Sequence, residues 1–170
     1  KGIPQTEVLE VGTTDYRGTI ITFRPDDSIF TTTEYVYDIL ASRMRELSFL
    51  NKGISLSITD KREQDEDGKD VFAHFLSEGG LSEFVAYLDN TRESLIQNVM
   101  YMEGEKNGVP VEVAMSYNTS YSENLHSYVN NINTHEGGTH LAGFRRALTR
   151  TLKSYAEKSG ILEREKVTVA

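Results

Sequence analysis

The residues best suited to metal or acid–base chemistry are the four histidines, His74, His126, His135 and His140. His135 and His140 flank the segment HEGGTH, which invites comparison with the helical HExxH zinc motif. Two glycines interrupt the segment and the histidines are five positions apart instead of four, so their rings need not share a helix face. We therefore predict no metal site, and we interpret His74 and His126 as ordinary strand residues because they alternate with apolar neighbours.

Other common catalytic patterns do not occur in the sequence. No glycine is followed at the required spacing by the Lys-Ser/Thr pair of a phosphate-binding P-loop, and the GxSxG pattern of a serine nucleophile is missing. The sequence contains no cysteine, which excludes a thiolate metal site, a cysteine nucleophile and a disulfide framework. The residue types alone therefore predict no catalytic residue.

The most unusual local feature is the polar run NNINTHEGGTH at residues 130–140, which leads directly into an amphipathic segment. Gly137 and Gly138 allow positive φ angles and close approach of the backbone. Thr139 could cap the free amides at a helix start, and a helix start favours anions. Two interpretations stay open: a loop that senses a phosphate or a neighbouring domain, and a tight connection whose polar groups satisfy one another.

The segment after this loop is the clearest helix in the sequence. Leu141, Phe144, Leu148, Leu152 and Tyr155 recur at the spacing of one helix face, and Gly160 follows the end. The other positions carry a basic group: Arg145, Arg146, Arg150 and Lys153. This basic face could meet nucleic acid or an acidic partner, although a solvated helix surface is the commoner explanation.

Three further elements precede residue 60. The segment GTIITFRP, with Ile20, Ile21 and Phe23, predicts a buried strand that ends at Pro25. Residues 31–51 predict a helix, because apolar residues recur at helical spacing and Thr31 with Glu34 could form a capping box. ISLSITD alternates apolar and polar residues and predicts a half-buried strand.

The segment KREQDEDGK has seven charged residues among nine and is interpreted as a hairpin turn or a flexible link, and as the best domain boundary. Beyond it, DVFAHFL predicts a strand and GLSEFVAYLDN a short helix. Three strand-like runs follow, LIQNVMYMEGE, VPVEVAMSY and NLHSYVNNI, the first two joined by a hairpin at Lys106-Asn107-Gly108. This order of elements predicts an α+β fold in two units.

The composition of the chain disfavours two classes of function, DNA binding and membrane insertion. The net charge of −8 disfavours autonomous DNA binding, because duplex DNA repels an acidic surface. No apolar run approaches the roughly 20 residues that cross a bilayer, and the first residues lack a signal-peptide pattern. We expect a cytoplasmic protein that makes no contact with a membrane.

The run SYVNNINTHEGGTHLAGFRRALTRTL strongly resembles the signature region of the ATPase subunits of bacterial type IIA DNA topoisomerases. GTIITFRPDDSIF and EYVYDILASRMRELSFLNKGISLSITDKR look like the end of the nucleotide-binding domain of the same subunits, and the resemblance extends over essentially the whole chain. It implies an α+β fold in which residues 1–66 form the C-terminal part of a GHKL-type ATPase domain. Residues 67–170 would form a truncated transducer domain with a ribosomal-protein-like βαβ crossover.

The resemblance also assigns roles to individual residues. Gly18-Thr19 with Phe23 matches the family's GTxxxF element, so Thr19 would bind near adenine, and Ile21 would line the pocket that also accepts aminocoumarin inhibitors. Gly137, Gly138, Thr139 and His140 would form the transducer's strand-to-helix junction, and the resemblance assigns no bond-making role to Thr139 or His140.

Cofactors and partners follow from the same resemblance and are expectations for the parent protein. The parent would use ATP and Mg²⁺, would close as a homodimer on binding ATP, and would act on DNA together with gyrase A. We find no counterpart of the family's general-base Glu, its magnesium-binding Asn, its adenine-binding Asp or its phosphate-binding lysine. We therefore expect this polypeptide alone to bind no cofactor and to hydrolyse no ATP.

Three functions stay possible on the sequence. The gyrase branch of the family, which supercoils DNA, is favoured, and the topoisomerase IV branch is close behind. A non-catalytic interaction module that docks through the helix at 139–155 is the alternative from a different class.

Overall fold

The computed structural model describes residues 3–165, and the chain divides after Val36 into two units. The first unit, at residues 3–36, contains neither helix nor strand among its described residues. Its ordered features are a turn after Asp26, whose carbonyl accepts hydrogen bonds from the amides of Ile29 and Phe30 at 3.0 and 2.9 Å, and an edge-to-face contact between the Phe23 and Tyr35 rings.

The predicted buried strand at GTIITFRP is wrong for this structure. Ile20 and Ile21 are 96% and 79% exposed, and no strand in the described part of the chain pairs with this segment. A strand needs a neighbour to receive its backbone hydrogen bonds, so alternation of apolar residues does not produce one by itself.

The second unit begins with helix α1, Tyr37–Leu50. The predicted helix is confirmed, but its start and its capping box are wrong, since the first helical residue lies three positions after Glu34. Asp38 lies in the first turn, where a negative charge is favourable to the helix dipole. The threonines at 31–33 and Val36 are β-branched, which lowers helix propensity before that point.

Two strands follow as a hairpin, β1 at Leu56–Gln64 and β2 at Asp70–Phe75. They are antiparallel, with Leu56 opposite Phe75 and a register shift between Asp60 and Gln64. The charged segment predicted as a turn or a link is therefore a hairpin, and its first half belongs to β1. The assignment of residues 1–66 and 67–170 to two domains of a larger protein stays a prediction.

Helix α2, Leu81–Leu88, and the hairpin of β3, Met100–Lys106, with β4, Val109–Met115, confirm the next predictions. The turn residues Asn107 and Gly108 have φ angles of 54° and 76°, as a type I′ turn requires. The core of this unit lies where α1, α2 and β2 meet. Phe84 of α2 is 7% exposed and stacks on Phe49 of α1 with ring centroids 5.2 Å apart.

The third strand-like run, NLHSYVNNI, is not one strand. Its backbone pairs Tyr128–Val129 (β5) with Ile132–Asn133 (β6) in a very short hairpin. Asn130 and Asn131 form the turn with φ angles of 49° and 65°, which asparagine tolerates better than most residues. Helix α3, Thr139–Lys158, and the short helix α4, Ile161–Glu165, complete the described chain. The mixture of helices and antiparallel hairpins confirms the α+β class.

Candidate functional site

The polar run that the sequence singled out forms a compact connection between β6 and α3, and residues 134–140 are called the junction below. Thr134 closes it, because its amide donates to the Ser127 carbonyl at 2.8 Å and its side-chain oxygen donates to the same carbonyl at 3.0 Å. The Thr134 carbonyl then accepts from the amide of Gly137 at 2.8 Å. The hydroxyls of Ser127 and Thr134 lie 2.6 Å apart, so the polar groups here satisfy one another.

The two glycines follow the turn at residues 135 and 136 and lead into α3. Gly137 has a φ angle of 78° and Gly138 one of 159°, both in the range that residues with a Cβ rarely adopt. At Gly138 an added Cβ would lie 2.7 Å from Cε1 of His140. The His140 ring lies there because its Nε2 is 3.2 Å from the Thr134 hydroxyl. The predicted need for glycine is therefore explained by backbone angle at Gly137, and by backbone angle and space together at Gly138.

The predicted capping role of Thr139 is wrong. Helix α3 is preceded by Gly138 at the N-cap position, and no side chain caps it. Thr139 is the first helical residue, one position too late to place its hydroxyl over the free amides. Gly137, Gly138, Thr139 and His140 are consecutive residues at the start of α3. Their role as a transducer junction stays a prediction.

Helix α3 leaves much of its apolar face uncovered in the described part of the chain. Leu141, Phe144 and Leu148 are half-buried, whereas Leu152 and Tyr155 are 50% and 64% exposed. The element it packs against is α4. Beside this apolar face, the Arg145 guanidinium pairs with the Glu123 carboxylate at 2.6 Å, so one of the four predicted basic groups already has an acidic partner.

Sequence reasoning missed a group of residues that joins α1 to the β5–β6 hairpin. Its members share hydrogen bonds across more than 75 positions of the chain, and we call them the clasp: Arg43, Glu46, Asn51, Tyr128 and Asn131. Asn131 could have been noticed because the Asn130-Asn131 pair is a turn signal. Arg43 and Glu46 could not, since charged residues on a helix face are usually solvated.

The predicted adenine-pocket residues lie in the first unit. Thr19 and Ile21 are both exposed, Ile21 by 79%. Their chemistry fits a purine, since a hydroxyl can bond a ring nitrogen or amine and a branched aliphatic side chain can cover the ring face. Their role as nucleotide contacts stays a prediction.

Among residues 3–165, no group of three or more His, Asp or Glu side chains is arranged to hold a metal ion. Within the same range, no helix has the length and apolar character to cross a bilayer.

Comparison with known proteins shows which family this chain belongs to. The family model described as DNA gyrase B matches residues 80–170, which is more than half of the chain and includes the junction and α3. The chain belongs to the DNA gyrase B family.

Similarity to individual gyrase B proteins covers nearly the whole chain. The DNA gyrase B protein of Cytophaga aurantiaca is 64% identical over 169 residues, which is 99% of this chain and 35% of that protein. The gyrase B protein of Cytophaga hutchinsonii shows the same identity and coverage. The chain therefore spans about a third of the length of these curated relatives.

The fold is similar to that of a solved gyrase B. The crystal structure of the 43K ATPase domain of Thermus thermophilus gyrase B, in complex with an aminocoumarin, matches with a TM-score of 0.68 and 30% sequence identity. The match covers 81% of this chain and 36% of the Thermus chain. The resemblance to type IIA topoisomerase ATPase subunits is thereby confirmed, and the gyrase B family is the branch that it indicates.

Proposed function

We propose that this chain is part of the ATP-hydrolysing subunit of DNA gyrase and that it couples the state of the bound nucleotide to the DNA-cleaving parts of the enzyme. The match to the DNA gyrase B family across residues 80–170 is the observation that carries this proposal. The whole gyrase B protein would use ATP and Mg²⁺, close as a homodimer, and work in the cytoplasm with gyrase A to supercoil DNA.

The nucleotide-binding role is proposed for Thr19 and Ile21. The Thermus domain that this chain resembles is bound to an aminocoumarin, and we propose that the face bearing Ile21 accepts such compounds as well as adenine. Loss of ATP binding by the full-length protein in Thr19→Val, which removes the hydroxyl and keeps the side-chain shape, would support the assignment. Unchanged ATP affinity in that variant would remove it.

The coupling role is proposed for the junction and for α3. A relay of this kind needs an element with two arrangements that the nucleotide can bias. The positive φ angles of Gly137 and Gly138 support this role, because these residues lie where the chain passes from the turn of the junction into α3.

The overall proposal is tested by reconstituting the full-length protein with gyrase A. Negative supercoiling of relaxed plasmid that depends on ATP is the expected result. Efficient decatenation without negative supercoiling would favour the topoisomerase IV branch and contradict the proposal.

The junction's role is tested in the same enzyme with Gly137→Val, which places a β-branched residue at a φ angle of 78°. We expect fewer supercoils per ATP hydrolysed, because the backbone that leads into α3 is disturbed while residues 3–36 are unchanged. Gly143→Ala is the matched control, since Gly143 lies inside α3 with open space around it. If supercoiling and ATP hydrolysis fell in proportion, the coupling role would lose its support.

A second function has one observation in its favour. The exposed Leu152 and Tyr155 of α3 would suit a non-catalytic module that docks through the helix at 139–155. Wild-type ATP hydrolysis and supercoiling by a full-length protein carrying Leu152→Glu, together with loss of a binding partner, would favour that function.

A further inference from the structure

The clasp joins two elements that are distant in sequence. The Tyr128 hydroxyl donates to Oε1 of Glu46, and the Arg43 guanidinium donates to the Asn131 carbonyl at 2.7 Å. The Asn131 side-chain amide donates to Oδ1 of Asn51 at 2.8 Å. The β5–β6 hairpin is thus held by two positions along α1 and by a third just beyond its end.

Glu46 is the centre of this group because it accepts from both Tyr128 and Arg43. Although partial burial works to raise the pKa of Glu46, the hydrogen bonds from Tyr128 and Arg43 hold it below its ordinary value. Burial, and then the hydrogen bond to Glu46, raise the pKa of Tyr128 above its ordinary value. At neutral pH the acid is charged and the phenol is neutral, which are the states that this donor–acceptor pair requires.

The hairpin that the clasp holds cannot define its own position. It has two residue pairs, Tyr128 with Asn133 and Val129 with Ile132, and isolated two-stranded hairpins are marginal in water. Packing helps at one point, since the Tyr128 ring lies 6.4 Å from the ring of Phe84. The clasp adds hydrogen bonds from the hairpin to Glu46, Arg43 and Asn51.

The junction follows the hairpin directly and is tied to it. Thr134 comes immediately after β6, and it is bonded through backbone and side chain to Ser127, which immediately precedes β5. A movement of the hairpin relative to α1 would therefore move the start of α3. The link runs from Glu46 to Tyr128, along the backbone to Ser127, and then by hydrogen bonds through Thr134 to Gly137.

We propose that Tyr128 and Glu46 are positioning residues that fix the junction, and hence the start of α3, relative to helix α1, and that the link they form carries the coupling between ATP hydrolysis and supercoiling. The coupling half of this proposal rests on the proposed function. The positioning half rests on the described contacts alone.

The positioning half is tested by amide hydrogen exchange, followed by mass spectrometry, in the full-length protein. In Tyr128→Phe the ring and its packing remain and the hydroxyl is lost, so peptides covering residues 130–142 are expected to exchange roughly tenfold faster. Tyr121→Phe is the matched control, because Tyr121 is fully exposed and its loss of a hydroxyl changes no described contact of the junction. Unchanged exchange at 130–142 in Tyr128→Phe would overturn the proposal.

A pair of variants separates the clasp from a general loss of stability. If Tyr128 acts through Glu46, the double variant Tyr128→Phe with Glu46→Gln exchanges little faster at 130–142 than the more affected single variant. Independent effects that simply add would contradict the direct link between the two side chains.

The coupling half is tested by counting supercoils introduced per ATP hydrolysed. Tyr128→Phe is expected to lower this ratio by roughly twofold or more, with ATP hydrolysis nearly unchanged. A merely structural defect would lower both rates together and leave the ratio as it was, and that result would overturn the coupling half even with faster exchange at 130–142. If the wild-type enzyme does not supercoil DNA, the proposed function fails and with it the coupling half, whereas the exchange result still decides the positioning half.

Discussion

The replacement Gly138→Ala gives the sharpest test of the junction, because two independent features of the structure oppose a side chain there. The φ angle of 159° is one that residues with a Cβ rarely adopt. The new Cβ would also lie 2.7 Å from Cε1 and 2.8 Å from Nδ1 of His140. Real Cβ atoms do not approach other heavy atoms so closely, so the imidazole or the backbone has to move.

The size of the effect can be worked out from these two features. Backbone strain of this kind costs about 1–3 kcal/mol. Displacing His140 breaks its contact with the Thr134 hydroxyl at 3.2 Å, which is worth about 0.5–1.5 kcal/mol if it is an ordinary hydrogen bond. We therefore expect Gly138→Ala to lower the free energy of unfolding by about 1.5–4.5 kcal/mol.

Gly143→Ala is the matched control and is expected to have the opposite sign. Gly143 lies in the interior of α3, with no atom within 4 Å of an added Cβ. Alanine at such a position is more favourable than glycine by about 1 kcal/mol, because glycine loses more conformational freedom in a helix.

Urea denaturation of the three proteins, followed by far-ultraviolet circular dichroism, measures both effects. Amide exchange at Gly137 and Ala142, which donate to the carbonyls of Thr134 and Gly138, shows whether the loss lies at the junction. A Gly138→Ala protein as stable as the wild type, or an equal loss in Gly143→Ala, would refute the reasoning from backbone angle and space.

Two further predictions concern the core and the clasp. Phe84→Ala is expected to lower the free energy of unfolding by about 3–5 kcal/mol, because it removes the ring that stacks on Phe49. Phe72→Ala is the control, because the Phe72 side chain is 61% exposed and its loss costs less than about 1 kcal/mol. The midpoints of urea unfolding compare the two variants. The pKa of Glu46 is lowered in the folded state, so ionised Glu46 stabilises the folded protein at pH values above the ordinary pKa of a glutamate. This stabilisation is lost as the pH falls through the pKa that Glu46 has in the folded state. Glu46→Gln therefore costs about 1 kcal/mol near neutral pH and progressively less in acid, and a deficit independent of pH would contradict this assignment.

The elements that the sequence predicted well are those whose determinants are local. The apolar spacing from Leu141 to Tyr155 produced α3, and Asn107-Gly108 produced the β3–β4 turn, since both depend on residues a few positions apart. The glycine requirement at 137 and 138 was also visible, because two adjacent glycines before a helix allow positive φ angles and close approach of the backbone.

Tertiary structure decided the remainder. The GTIITFRP segment alternates like a strand, yet it is one only when a neighbour accepts its backbone hydrogen bonds, and none in the described residues does. The clasp depends on side chains of Glu46 and Tyr128 that meet only after α1 and the hairpin have packed. Periodicity reports which face of an element is apolar but not which distant residue lies opposite it, so contacts between remote positions could be known only from the folded chain.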